Sequence, residues 1–154
     1  MKRENVRKLG ISAIFLTGFH GASGIYVAPF VLSAQSQSSI RDGVYSAEQA
    51  KRGDASYAKN CASCHGAKLE GRNQAPPLAG AEFAMNWDGQ PLAGLLEKIQ
   101  TSMPADKPGS LSAQESTDVI ASLLRANGLP SGPSDLPSDP KRLKRIRFEA
   151  AKGK

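Results

Sequence analysis

Two cysteines, two histidines and one tryptophan are all that these 154 residues hold of the types that most often carry chemistry or anchor a core. So few cysteines exclude a disulfide-dense scaffold. With only two histidines beside them, zinc ribbons and finger arrays are excluded too, since each metal there takes four protein ligands. Aromatic residues make up only 6% of the chain, so a core built from its own side chains would be thin. The sequence shows no strand-like alternation, no internal repeat and no glycine-rich phosphate loop. What it does have, 40% hydrophobic and 22% charged residues, fits one globular domain. Its formal net charge of +6 suggests nucleic acid or a membrane surface as a partner.

The charge is unevenly spread. Lys2, Arg3, Arg7 and Lys8 precede an apolar stretch from Leu9 to about Leu32, then the small residues Ser33-Ala34-Gln35-Ser36. That order is the anatomy of a secretory signal peptide, residues 1–34, with cleavage after Ala34 or Ser36. The apolar stretch also approaches the length of a spanning helix, so an uncleaved anchor is the alternative. Either way the remainder is expected outside the cytoplasm, in the periplasm, where nucleic acid is no partner. Residues 35–140 carry nine basic and twelve acidic side chains, whereas residues 141–154 carry seven basic ones and only Glu149. The basicity belongs to the two ends.

After a polar lead at 35–43, three helices are expected. Ser46-Ala47-Glu48-Gln49 reads as a capping box opening the first, with Ala50, Gly53, Tyr57 and Cys61 inward. Gly53 in mid-helix costs about 1 kcal/mol relative to Ala and signals close approach by another helix. Residues 66–89 read as loop. Pro91 suits the first position of a second helix, whose stripe is Leu92, Leu95, Leu96 and Ile99. A second capping box, Ser112 to Glu115, opens a third helix that buries Val119, Ile120, Leu123 and Leu124 and ends at Asn127-Gly128. Residues 130–140 read as a Pro/Ser/Gly/Asp linker.

Cys61-Ala62-Ser63-Cys64-His65 is a C-x-x-C-H run, the attachment pattern of c-type haem. Two thiols one turn apart reach the two vinyl groups along one porphyrin edge, and the adjacent His65 is placed to ligate the iron. Three other readings compete. A thioredoxin-like pair needs a βαβ setting, a zinc site needs ligands that the chain lacks, and a small structural disulfide remains.

From Val44 to Asn127 the chain resembles the monohaem class I cytochromes c. Helix, haem motif, Ala75-Pro76-Pro77-Leu78-Ala79-Gly80, stripe helix, Ser102-Met103-Pro104 and closing helix come in that family's order. More narrowly it resembles the cytochrome subunits that accompany bacterial quinoprotein alcohol dehydrogenases, around Gly80-Ala81-Glu82-Phe83 and Leu111-Ser112. The resemblance implies an all-α cytochrome c fold, three main helices and long loops around one covalently attached haem c, spanning residues 44–129. It implies that the Pro76 carbonyl accepts a hydrogen bond from His65 and that Leu78 packs on the ring. Trp87 would donate to a propionate or serve as an interior Trp with another polar partner, and Arg72 would pair with a propionate or stay solvated. At the place where the family's closing helix usually carries an aromatic against the first helix, this chain has Ser122.

For the iron's other face the candidates are methionines. Met1 and His20 lie in the leader. Met103 sits in an irregular segment able to wrap the distal face, while Met85 fits core filler; an open or water-bound iron is the remaining option. A His65/Met103 pair raises the reduction potential and suits electron transfer. The function expected is a periplasmic one-electron carrier, not itself an enzyme and a monomer when free. The alternative is an electron-accepting subunit of a quinoprotein dehydrogenase complex, and a third reading is a haem enzyme or ligand sensor with an open distal site. Redox partners would be a periplasmic dehydrogenase or a terminal oxidase.

At the C-terminus, Asp139-Pro140 is expected to start a short helix with Leu143, Ile146 and Ala150 on one side. The basic segment 141–154 is then a docking arm for an acidic partner, an anchor on anionic lipid, a solvated tail, or a segment packed back on its own domain.

Overall fold

The computed structural model describes residues 37–150, so the expected leader with its expected cleavage site, and the last four residues, lie outside the described part. Among the described residues there are six helices, not three: α1 (Ala47–Asn60), α2 (Ala62–His65), α3 (Ala81–Trp87), α4 (Leu92–Ser102), α5 (Ala113–Ala126) and α6 (Pro140–Leu143). The three longest are the expected main helices, and α6, capped by Asp139, is the short helix expected at Asp139-Pro140. A minimal parallel sheet joins β1 (Ser38–Ser39) to β2 (Ile146–Arg147), pairing Ser38 with Ile146 and Ser39 with Arg147. No helix among the described residues is long and apolar enough to cross a membrane.

Helix α5 is the most buried element. Its capping box is complete: the Glu115 N–H donates to Ser112 Oγ at 3.2 Å, and the Ser112 N–H donates to Glu115 Oε2 at 2.9 Å. These donors, the Ser112 N–H first, hold the Glu115 carboxyl below its usual range. The helix ends at Asn127, and Gly128 takes the left-handed conformation, φ +75°, that a C-cap favours. Helix α1 crosses α5 at Gly53, where an added Cβ would lie 1.8 Å from Asp118 O. Polar side chains flank the crossing. Arg52 forks onto Asp118 (Nε–Oδ2 3.0 Å) and reaches Asp135 at 2.6 Å, while Ser122 Oγ donates to Asp54 at 2.8 Å.

Three local expectations change. Pro91 is the N-cap of α4 rather than its first helical residue, with extended backbone at φ −72°, ψ 144°. The reason is tertiary: the residues before it pair with the C-terminal segment, Gly89 N to Phe148 O and Phe148 N to Gln90 O, both at 2.8 Å. Helix α3 occupies a stretch that reads as loop, because seven residues between glycines bury only Phe83 fully and show no helical stripe. Phe83 meets Phe148 edge-on at 5.7 Å.

The third change concerns Gln49 and residues 130–140. Ser46 does cap α1, accepting from the Gln49 N–H at 3.0 Å, but Gln49 does not reach back to complete a box. Its side chain is fully buried and grips Leu136 by both backbone groups, Nε2 to O at 3.1 Å and N to Oε1 at 2.6 Å. The stretch that composition marks as linker is thereby a strap, with Leu136 only 1% exposed. It carries the chain on to Leu143, Ile146 and Phe148, all buried in the same apolar core as α4 and α5. Gln49→Ala leaves one buried N–H and one buried C=O unpaired. At about 1–3 kcal/mol for each, it is expected to destabilise the fold by about 2–6 kcal/mol. Urea unfolding with an unchanged slope checks this, and a loss under 1 kcal/mol contradicts it.

Candidate functional site

The site begins where α1 ends. The Cys61 N–H closes the last turn on Tyr57 O at 2.8 Å, and the chain re-enters a single helical turn, α2. Within that turn the His65 N–H bonds Cys61 O at 2.9 Å, so Cys61, Cys64 and His65 all project from one short helical segment. Both thiols are free; Cys61 is half-buried and Cys64 exposed. Burial, then the neighbouring Cys64, pushes the Cys61 thiol up to about 11. A disulfide oxidoreductase needs the opposite, a thiol with a lowered pKa. Cys61, Cys64 and His65 do not converge as a metal-ion set, and among the described residues no other His, Cys, Asp or Glu cluster does. That disfavours a zinc site.

His65 is 8% exposed. Its Nδ1 lies 2.8 Å from Pro76 O. A carbonyl can only accept, so Nδ1 is the donor in this bond and Nε2 is the nitrogen that faces away from it. Among the described residues Nε2 has no hydrogen-bond partner, which leaves it available as a ligand.

The loop bearing Pro76 is held from three sides. Tyr57, buried under the motif, donates its hydroxyl to Gly66 O at 2.7 Å, and burial pushes this phenol up to about 12. Gly71 N bonds His65 O at 2.8 Å, and Arg72 and Ala75 exchange backbone bonds at 3.1 and 2.8 Å. From the end of α5, Asn127 donates to Leu78 O at 3.0 Å and accepts from Gly80 N at 3.0 Å. Asn127 carries no signal of this role in the sequence beyond its place as a helix cap.

The other candidates are spread around this centre. Leu78 is half-buried and packs on the core. Trp87 is half-buried, 6.5 Å from Phe83, and its indole N–H has no partner among the described residues. Arg72 is exposed and stands 3.8 Å from Glu70. Met103 caps the C-terminus of α4, its N–H bonded to Ile99 O at 3.1 Å, and is half-buried. Met85 is 70% exposed, so it is not the core filler that its sequence context suggests. Ser122 does stand at the Gly53 crossing, its Cβ 2.8 Å from where a Cβ on residue 53 would be.

No curated protein matches the chain. Among solved structures, the sulfane dehydrogenase SoxCD from Paracoccus pantotrophus is similar over 81% of this chain, at 27% identity and a TM-score of 0.49. The match covers 66% of that chain, just under two thirds of its length. Residues 48–121 match the family described as cytochrome c oxidase, cbb3-type, subunit III. From α1 through most of α5, the helices that frame the cysteine pair, this chain is therefore similar to a cytochrome-type subunit of a respiratory oxidase.

Proposed function

We propose that this chain is the electron-transferring cytochrome subunit of a periplasmic dehydrogenase or oxidase complex, and that it carries one haem c. Cys61 and Cys64 would hold the group by thioethers, and His65 and Met103 would ligate its iron. The haem, when bound, supplies a one-electron ferrous/ferric couple. The observation that best supports this reading is the hydrogen bond of His65. On the same turn as two free thiols, a buried imidazole donates a hydrogen bond from Nδ1 to Pro76 O, which leaves Nε2 as the nitrogen that would meet iron.

The chain's own groups have distinct tasks. Pro76 O fixes the ring orientation of His65 and raises its basicity, while Tyr57 and Asn127 hold the backbone on either side. The unpartnered indole N–H of Trp87 and the exposed guanidinium of Arg72 are the donors assigned to the haem carboxylates. Residues 130–150 add Leu136, Leu143, Ile146 and Phe148 to the core.

A subunit is favoured over a free carrier because the matching family is named as an oxidase subunit. The test is made on the full chain matured in a host that attaches c-type haem. The haem is expected to resist extraction by acidified acetone, and the reduced pyridine complex to absorb as a porphyrin with both vinyl groups saturated. Colour that extracts, or a chain that matures without haem, contradicts the proposal. Co-purification with a larger redox enzyme separates subunit from carrier, since a free carrier elutes as a monomer.

A further inference from the structure

Residues 141–150 carry five basic side chains and a single acidic one, Glu149, on a body whose residues 37–140 have nine basic and twelve acidic side chains. The apolar side of this segment is used up. Leu143 is 0%, Ile146 6% and Phe148 2% exposed, all within the core. Backbone bonds fix the segment on two sides, Ser38 N to Arg145 O at 3.0 Å and Phe148 N to Gln90 O at 2.8 Å.

The carboxylates at hand are occupied by other groups. Asp139 accepts from Lys141 N at 2.9 Å as the α6 cap, Glu149 from Ser39 Oγ at 2.7 Å, and Asp88 from Ala150 N at 2.8 Å. Arg147 turns inward to Gly89 O at 3.0 Å. Lys141, Arg142 and Lys144 are exposed, and none forms an ion pair with a carboxylate among the described residues.

We infer that Lys141, Arg142 and Lys144 form a preorganised docking surface for an acidic face of a partner protein. Three observations select that occupant. Among the described residues the cations have no carboxylate partner, so they complement negative charge from outside. The backbone beneath them is already ordered, so docking does not bear the cost of ordering a free tail. A lipid anchor of this kind needs an apolar face to insert beside its cations, and here that face is inside the domain. The surface does not depend on haem, so its test is independent of the haem assignment.

The test uses the full chain and a labelled polyglutamate peptide, with fluorescence anisotropy as the readout. Lys141→Gln/Arg142→Gln/Lys144→Gln is compared with the parent, and circular dichroism checks that the fold is kept. The parent is expected to bind about tenfold more tightly than the triple variant, three exposed charge contacts being individually weak. The difference should vanish between about 0.01 M and about 1 M salt, as the screening length falls from about 30 Å to about 3 Å.

Equal peptide binding by parent and variant overturns the proposal. So does binding to phosphatidylglycerol vesicles that survives the high-salt condition and that the triple variant loses, which would mean a lipid anchor at this segment. A dimer at low salt that the triple variant loses would mean a second copy of this chain, drawn by its own acidic body, and would also overturn it.

Discussion

Met103→Ala is expected to abolish the sulfur-to-iron charge-transfer absorption of the ferric protein and to lower its reduction potential by on the order of 0.1 V or more. Axial ligands set haem potentials over about 0.8 V, and a thioether opposite an imidazole lies toward the upper part of that range. The assignment of Met103 rests on elimination and position. Met85 is 70% exposed on α3, whereas Met103 is half-buried where α4 gives way to extended backbone, φ −127°, ψ 147°. Replacing it leaves α4 otherwise intact, because the apolar stripe Leu92, Leu95, Leu96 and Ile99 is buried independently of it. The variant should keep its covalent haem, since both thiols and His65 are untouched. Its iron should turn high-spin, binding cyanide readily in the ferric state and carbon monoxide in the ferrous state. Met85→Ala is the control and should change neither spectrum nor potential. An unaltered spectrum in Met103→Ala, or parent protein that is already high-spin, would rule out Met103 as ligand.

Much of this arrangement can be read from the sequence, and the parts that cannot are tertiary. The stripe of α4, the capping box of α5 and the glycine of α1 are local patterns whose causes lie within one or two turns, and each appears where expected. The C-x-x-C-H run is likewise a local pattern. Helix α3 is too short for periodicity to register. Gln49 misleads because a side chain three residues after a serine can complete a capping box or turn elsewhere. The backbone of Leu136, 87 residues away, offers it both a donor and an acceptor. Composition also misjudges residues 130–140, since one buried leucine among prolines and serines carries no period. The role of Asn127 leaves no local signal for the same reason: its partners, Leu78 and Gly80, are nearly fifty residues distant. Local chemistry is legible in one sequence; long-range hydrogen bonds of single polar side chains are not.

Gly53→Ala is expected to destabilise the fold by about 3 kcal/mol or more, at the upper end of overpacking costs. The substitution would ordinarily help an α-helix by about 1 kcal/mol, because Ala is the better helix former. Here the new Cβ would sit 1.8 Å from Asp118 O, 2.6 Å from Asp118 C and 2.8 Å from Ser122 Cβ. Two of those atoms are backbone, so no rotamer change relieves the clash and α1 must move away from α5. The movement also pulls on the Arg52–Asp118 fork and on the bond between Ser122 and Asp54. Gly94→Ala supplies the contrast within the same chain. An added Cβ there meets only Trp87 Cζ3 at 3.6 Å, ordinary contact, so the propensity gain survives and stability rises by up to about 1 kcal/mol. Thermal unfolding should therefore show opposite signs, with the midpoint of Gly53→Ala lower by about 10 °C or more. A Gly53→Ala protein as stable as its parent would mean that the helices do not cross so closely. The consequence reaches the site, because α1 leads into His65 while α5 carries Asn127, which holds the Leu78–Gly80 segment beside Pro76. Separating the two helices strains the 2.8 Å bond from His65 to Pro76 from both ends. The low-spin spectrum of the variant should accordingly fail at a lower temperature than its helical signal, a difference that loss of stability alone would not produce.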